Sequence, residues 1–430
     1  MTKQKIAFFW FRRDLRLDDN FGLFNALHSD FPVIPLFIFD EDILDNLPKN
    51  DARVSFIYDS LEKINTQLKE INSSLLIKKG KPLEIWKTLL EEYDIQKVFF
   101  NKDYEPFAIK RDLAVIELLK QNNIEALSFK DHVVFEEKEI TKSDGLPYTV
   151  YTPYKNKWLE KYHFKGVEEY QTETLFSNFA KNDFKFPKLS EIGFERSEIK
   201  VLPHNLSQIS HYKETRDFPA LDSTSYLSPH LRFGTVSIRK LVNWANKKNQ
   251  TFLSELIWRE FFIQILFSFP KVINHNFKSN YDGIQWRNNE DDFKRWCEGK
   301  TGYPMVDAGM RQLNKTGYMH NRVRMVVASF LCKHLLINWQ WGEAYFAEKL
   351  LDFELASNVG NWQWAAGTGC DAAPYFRVFN PEIQQKKFDE KGEYIRKWIP
   401  EFDLGYNEPM VEHAFARDRA IATYKAGIIK

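Results

Sequence analysis

The sequence predicts an α/β N-terminal domain, a doubly wound parallel sheet of Rossmann-like type, followed by an all-α C-terminal domain. Two observations predict it. Over residues 1–131 short apolar runs alternate with amphipathic stretches, and from about residue 206 apolar residues recur at helical spacing almost without a break. At 430 residues the chain is long enough to bury two cores.

The runs at 6–11, 33–39, 75–77, 98–100 and 124–129 predict buried strands, and the stretches 52–71, 82–93 and 107–121 predict the helices between them. Such a sheet takes ligands at the carboxyl ends of its strands, where Arg12, Arg13, Asp14, Asp40 and Asp103 stand. The turn after the first strand reads FRRDLRLDDN. It has no Gly-x-Gly-x-x-Gly, which argues against a dinucleotide-fingerprint enzyme. Residues 132–205 mix Lys, Glu, Asn and Pro with weak periodicity and predict an inter-domain linker. The expected division is therefore 1–131, 132–205 and 206–430. In the last part, FLSELIWREFFIQILFSF, VDAGMRQLNKT, NRVRMVVASFLCKHLLI and WGEAYFAEKLL predict helices.

Composition excludes several classes. Net charge is +1, so a nucleic-acid surface has to be a local patch. Cys297, Cys332 and Cys370 have no metal-type spacing; they predict no metal site and a reduced, cytoplasmic setting. No apolar run reaches the ~20 residues that span a membrane, and the N-terminus lacks a secretory pattern. The 12 Trp lie mostly beyond residue 240, which suits a Trp-rich helical core as well as it suits a ligand site.

Four segments carry candidate chemistry. Gly-Lys-Thr at 299–301 is not a phosphate loop, because position 294 is Lys where a glycine is needed; Gly299 predicts a helix stop instead. TSYLSPHLRFG (224–234) places Thr224, Ser225 and Ser228 before a helix, where they either cap it or hold a pyrophosphate. SELIWREFF sets Glu255, Trp258 and Arg259 on one helix face. They are either an internal ion pair beside a packed Trp or a site for a flat ligand with polar edges. HNRVRM adds Asn321, Arg322, Arg324 and Met325. The stretch 352–381 holds Asp352, Asn358, Trp362 and Trp364 and then a glycine-rich loop.

Taken in order, WFRRDLRLDDN, TSYLSPHLRFG, ELIWREFF, EGKTGYPMVDAGMRQL, GYMHNRVRM and SNVGNWQWAAGTGCDAAPYFRVFNP resemble the photolyase/cryptochrome family over nearly the whole chain. The resemblance implies an α/β antenna domain and a helical domain that binds FAD. It implies electron transfer from excited reduced flavin to a pyrimidine dimer flipped out of UV-damaged DNA. By position it implies FAD contacts at Tyr212, Thr224, Ser225, Tyr226, Leu227, Ser228, Arg324, Asp352, Phe353, Glu354 and Asn358, with Asn358 facing flavin N5. Relatives often carry Asp where Glu354 stands. It implies an electron relay through Trp362, Trp339 and Trp286, and a lesion pocket of Glu255, Trp258, Arg259, Asn321, Arg322, Met325 and Trp364. Arg216 and Arg377 are implied DNA contacts, with Lys155 and Lys157 as further members of a basic patch.

Within the family, Asn358 at flavin N5, Asn321 with Met325 in the pocket, and a chain end soon after the last helix (411–428) are closest to class I cyclobutane pyrimidine dimer (CPD) photolyases. The alternatives are a cryptochrome-like blue-light photoreceptor signalling through a partner, or repair of (6-4) photoproducts. A monomer is expected. A second, antenna chromophore stays open between a deazaflavin, a flavin and none; folate is disfavoured, because Ile109 stands at the position where folate-type relatives have Glu.

Overall fold

The computed structural model describes residues 3–428. The chain gathers into two compact units, each discontinuous in sequence. The first comprises the chain up to Glu139 with Trp158–Pro203 and Leu227–Lys247. The second comprises Ile140–Lys157, His204–Tyr226 and the chain from Lys248 onward.

Five strands build the first unit: β1 (Lys5–Phe11), β2 (Val33–Asp40), β3 (Leu76–Gly80), β4 (Asp94–Asn101) and β5 (Glu125–Phe129), in the order β3-β2-β1-β4-β5. Every neighbouring pair is parallel. A period of two sorts the side chains. Ala7, Phe9 and Phe11 join Val33, Phe37 and Phe39 in one core cluster, and Ile6, Phe8 and Trp10 join Ile34, Leu36 and Ile38 in the other. Both faces are apolar because helices cover both. Ala52–Lys69 brings Leu61, Ile64 and Leu68 to the first cluster, and Pro82–Glu92 brings Trp86 and Leu89 to the second. This is the doubly wound sheet that the sequence predicts. β3 runs on through Lys78 and Lys79, past its apolar residues, because an edge strand needs only its backbone pairing with β2.

The stretch 132–205 contributes to this core at isolated points. Phe179, Ile192 and Phe194 are buried in the first cluster, and Ala180 N–H donates to the Val33 carbonyl at 2.9 Å. Single anchors of this kind leave no period in a sequence.

Charged residues at the carboxyl ends of the strands close on one another. Arg12 pairs with Asp112, and Arg13 reaches Asp103 and Glu105 at 3.0 Å each. Asp14 accepts from Arg12 N–H (2.7 Å) and Asn101 Nδ2 (2.6 Å), and burial raises its pKa. Arg13 holds the Asp103 carboxyl well below the usual range. Arg111 lies 3.9 Å from Asp40. Ile109 sits half-buried on the helix Pro106–Gln121.

The second unit is helical. Its main helices are Gln250–Ser268, Glu290–Cys297, Pro304–Thr316, Asn321–Ser329, Trp339–Lys349, Leu355–Ala366 and His413–Gly427. Gly360 lets Leu355–Ala366 approach Gln250–Ser268, since a Cβ there would lie 2.2 Å from the Phe262 ring. Gly299 adopts the left-handed φ of +63° just past Glu290–Cys297, as its reading as a helix stop requires. Spacing predicts one helix through 321–337. The structure ends it at Ser329 and continues with a π turn, Phe330–His334. That wider turn carries buried Lys333, whose Nζ donates to the Ala366 (2.8 Å) and Tyr375 (3.1 Å) carbonyls. Among the described residues no helix is long and apolar enough to cross a membrane.

Candidate functional site

Two helices of the second unit present the residues on which the sequence reading concentrates. Asn249 caps Gln250–Ser268 by accepting from Phe252 N–H, and the following turns project Glu255, Trp258 and Arg259. His320 caps Asn321–Ser329, its Nδ1 accepting from Arg322 N–H at 3.2 Å. Burial pushes the His320 pKa down to about 4, so the ring is neutral and that nitrogen keeps its lone pair.

Ion pairs tie the two helices to two short segments. Glu255 is held by Arg216 at 2.6 Å, while the adjacent Asp217 holds Arg322 at 2.8 Å. Arg322 also covers the Phe388 ring at 4.3 Å and reaches Met325 Sδ at 3.6 Å. On the other side, Arg259 pairs with Glu354 at 3.0 Å and Arg324 with Asp352 at 2.9 Å. Glu255, Trp258 and Arg259 are thus brought together with Arg322, Arg324 and Met325 through residues 216–217 and 352–354. Of the two readings of the SELIWREFF face, the geometry gives Glu255 and Arg259 partners on different segments. Asn321 is exposed beside them, and Trp258 is half-buried.

The Asp352 carboxylate has a second oxygen, Oδ1, that is buried and accepts no hydrogen bond. Leaving a charged acceptor unsatisfied costs about 1–3 kcal/mol or more, so a donor from outside the chain fits there. Ser357 Oγ donates to the second oxygen of Glu354 at 3.0 Å. Phe353, between the two acids, is half-buried.

The helix Leu355–Ala366 carries Asn358, Trp362 and Trp364. Asn358 Nδ2 donates to the Glu343 carboxyl (2.8 Å) and to its carbonyl (3.0 Å), which fixes the amide plane. Burial raises the Glu343 pKa, and the Asn358 hydrogen bond works against that rise. Trp362 is sealed against Phe346 and Trp296, edge-on at 4.9 and 6.2 Å between centroids. It also lies so close to Gly342 that a Cβ there would sit 2.1 Å from its ring. Trp339 is buried and donates from Nε1 to Asn276 at 2.9 Å. Trp286 is half-exposed, edge-on to Tyr424 at 5.7 Å. The three tryptophans of the expected relay therefore run from buried to partly open.

The remaining expected residues divide between the units. In the second, Tyr212 packs edge-on against Phe252 at 5.2 Å and under Arg216 at 5.2 Å. Thr224 and Ser225 are half-buried, and Tyr226 takes a left-handed φ of +53° with its hydroxyl donating to Asp222. Trp364 is half-buried ahead of the loop in which Arg377 lies exposed. Lys155 is half-buried and sits 5.9 Å over the Tyr151 ring, and Lys157 is half-buried. Leu227 and Ser228 open the short helix Leu227–Arg232 of the first unit, Leu227 buried and Ser228 exposed.

Sequence reasoning missed Asp217, Glu343 and Lys333. Glu343 had a signal: a carboxylate four residues after Trp339 in a largely apolar helix. Lys333 had one too, as a cation inside VVASFLCKHLLI.

Comparison with known proteins gives two family matches, one after the other along the chain. A family model described as DNA photolyase matches residues 7–173, and one described as the FAD binding domain of DNA photolyase matches 252–404. The deoxyribodipyrimidine photo-lyase of Halobacterium salinarum is 35% identical, covering 97% of this chain and 98% of that protein. The class III photolyase of Agrobacterium tumefaciens superposes with a TM-score of 0.85 at 33% identity, covering 99% of this chain and 98% of that one. The archaeal photolyase of Sulfolobus tokodaii, solved with two FAD molecules, gives 0.81 at 33% identity, covering 98% and 100%. Full-length similarity at this identity, with both family models in their proper order, places the chain in the photolyase/cryptochrome family.

Proposed function

We propose that this protein is a deoxyribodipyrimidine photo-lyase. It uses light and reduced FAD to split cyclobutane pyrimidine dimers in UV-damaged DNA. The observation that carries the reading is the convergence of the Glu255–Trp258–Arg259 and Asn321–Met325 helix faces through four ion pairs, of which Arg216–Glu255, Asp217–Arg322 and Arg324–Asp352 are partly open and Arg259–Glu354 is buried.

The residues suit the cofactor. The unsatisfied Asp352 Oδ1 supplies an acceptor that nothing in the chain uses, next to a cation, Arg324. Asn358, held by Glu343, turns a fixed amide toward its surroundings; an amide has no proton to yield near neutral pH. Tyr212, Thr224, Ser225, Tyr226, Leu227, Ser228, Phe353 and Glu354 complete the proposed FAD contacts. These residues would hold reduced FAD, which would supply redox-neutral one-electron chemistry for opening the dimer's two ring bonds.

The chain's own work is binding and orientation. Trp258 and Trp364 offer aromatic surface to a base taken out of the stack, worth roughly 1–3 kcal/mol per stacked base. Glu255 can accept from a pyrimidine N3–H, Asn321 can both donate and accept on the base edge, and Met325 supplies an apolar contact. Arg216, Arg322, Arg377, Lys155 and Lys157 form the local patch for phosphates, which a net charge of +1 requires. Trp286, Trp339 and Trp362 would return the flavin to its reduced form. The class I assignment rests on Asn358, Asn321 and Met325, and the monomeric state and cytoplasmic location belong to the same proposal, as does the division into 1–131, 132–205 and 206–430. A second chromophore, deazaflavin, flavin or folate, would sit at the carboxyl ends of the sheet; extraction and an absorption spectrum identify it.

The test is illumination of the reduced, FAD-loaded protein with an oligonucleotide containing a thymine dimer. Restored thymines are expected. Dimers that persist with FAD bound would overturn the proposal.

A further inference from the structure

Trp258 is held by a residue that none of the sequence motifs singles out. The Tyr151 ring lies parallel to the Trp258 indole, 3.6 Å between centroids and 9° between planes. Phe261 meets the same indole edge-on at 5.6 Å, and Phe262 lies inclined to it by 27° at 5.5 Å. One face of the indole is therefore closed by Tyr151.

The brace has two further points. Tyr151 O–H donates to the Ser254 carbonyl at 2.6 Å, one helical turn before Trp258 on the same helix. Tyr151 N–H donates to the Asp371 side chain at 3.1 Å. Asp371 stands in the glycine-rich loop after Trp364, with a left-handed φ of +48°. A left-handed non-glycine residue persists only where its surroundings hold it, and the bond to Tyr151 is one such hold. Tyr151 is buried at the start of the helix Tyr151–Lys165, and so fixes an indole, a helix turn and a loop at once.

We propose that Tyr151 is a positioning residue for lesion recognition: by stacking behind Trp258 it presets that indole as a rigid wall for the extruded pyrimidines. The inference rests on the proposed repair function. Its physical basis is preorganisation. Ordering a mobile indole upon binding weakens affinity, and a wall already ordered by stacking avoids that loss. The effect belongs to damaged DNA alone, because backbone contacts to undamaged duplex do not use the wall.

The experiment measures, in FAD-loaded protein, the affinity for a thymine-dimer oligonucleotide and for its undamaged counterpart, together with repair at saturating dimer. Tyr151→Leu removes the ring. It should weaken dimer binding by about threefold to tenfold, leave undamaged binding unchanged, and raise KM without changing kcat. Tyr151→Phe keeps the ring and should restore selectivity to within about twofold of the wild type. In the Trp258→Ala background, Tyr151→Leu should have no further effect on selectivity, since the two residues act as one unit. If Y151L loses flavin, Y151M removes the ring at similar volume and carries the same expectation. Loss of flavin in both variants makes Tyr151 purely structural and overturns the proposal. So does unchanged selectivity in Y151L, an equal loss on undamaged DNA, or a Y151F defect as large as that of Y151L. A wild-type protein that repairs nothing sinks the proposed function. A wild-type protein that repairs while Y151L keeps its selectivity sinks only this inference.

Discussion

Both units contain exposed and buried ion pairs, and one network from each differs in how open it is. In the first, Arg16 and Asp131 pair at 2.8 Å with side chains 7% and 2% exposed, and Arg239 bridges Asp131 (2.7 Å) and Asp19 (3.1 Å) from equal burial. In the second, Glu255 stays 32% exposed while paired to Arg216, Asp217 35% while paired to Arg322, and Arg324 28% while paired to Asp352. A network this deeply buried has its charges paired within the chain and holds the fold, although Arg16 Nε is left without a hydrogen-bond partner. A partly open pair can exchange a partner for a ligand at little cost, because water already screens it. Charge in a buried setting is thus a poor guide to function until its remaining exposure is known.

The comparison breaks most visibly at Asp131. Asp131→Ala leaves two buried guanidinium groups without their shared carboxylate and should destabilise the first unit by about 3–5 kcal/mol, read by urea unfolding. A loss below about 1 kcal/mol would show that the network is not sealed in solution.

A second effect is nearly as large and lies beside the open pairs. The unfolded chain protonates a histidine near 6.5, and His320 in the fold does so at about 4. Between these values the unfolded state binds more protons, so stability should fall as pH drops from 6.5 to 4 and level off below. The full swing is about 3 kcal/mol at 1.36 kcal/mol per unit. His334, pushed down to about 3 by burial, acts in the same direction. His320→Asn keeps a capping acceptor and should flatten part of the slope between pH 7 and 5 in urea titrations. An unchanged slope assigns the effect elsewhere.

Glu255→Ala probes an open pair directly. Flavin content should stay, and dimer affinity should fall by about 1.5–3 kcal/mol, the worth of a hydrogen bond to a charged group. Flavin loss instead would make the Arg216–Glu255 pair structural, like those of the first unit.

What the sequence shows follows from the range of each interaction. Ile6, Phe8 and Trp10 announce a strand because every residue of a doubly covered strand is apolar, and Glu255, Trp258 and Arg259 announce a helix face because spacing alone sets it. Their partners are not legible in the same way. Arg216 reaches Glu255 across 39 residues and Asp217 reaches Arg322 across 105, and no local period encodes such a pairing. Tyr151 against Trp258 is of the same kind. The edge strand β3 escapes in part because Lys78 and Lys79 need no burial. The family resemblance supplied roles for the residues themselves, and left the residues that hold them to the structure.

The smallest expected effect sharpens the comparison furthest. Glu343 holds the Asn358 amide with a carboxyl that burial already pushes toward protonation. If that carboxyl works as a hydrogen-bond acceptor and not as a charge, Glu343→Gln keeps the oxygen that Asn358 needs and removes the cost of burying an anion. Stability should then stay within about 1 kcal/mol of the wild type or rise slightly, with flavin content unchanged. Glu343→Ala takes the side-chain acceptor away and leaves Asn358 Nδ2 only the backbone carbonyl of residue 343, at about 0.5–1.5 kcal/mol for the lost hydrogen bond. Thermal melting of the two variants side by side separates the cases. Equal losses would mean that the negative charge does the holding, and the Glu343–Asn358 pair would then belong with the sealed networks of the first unit.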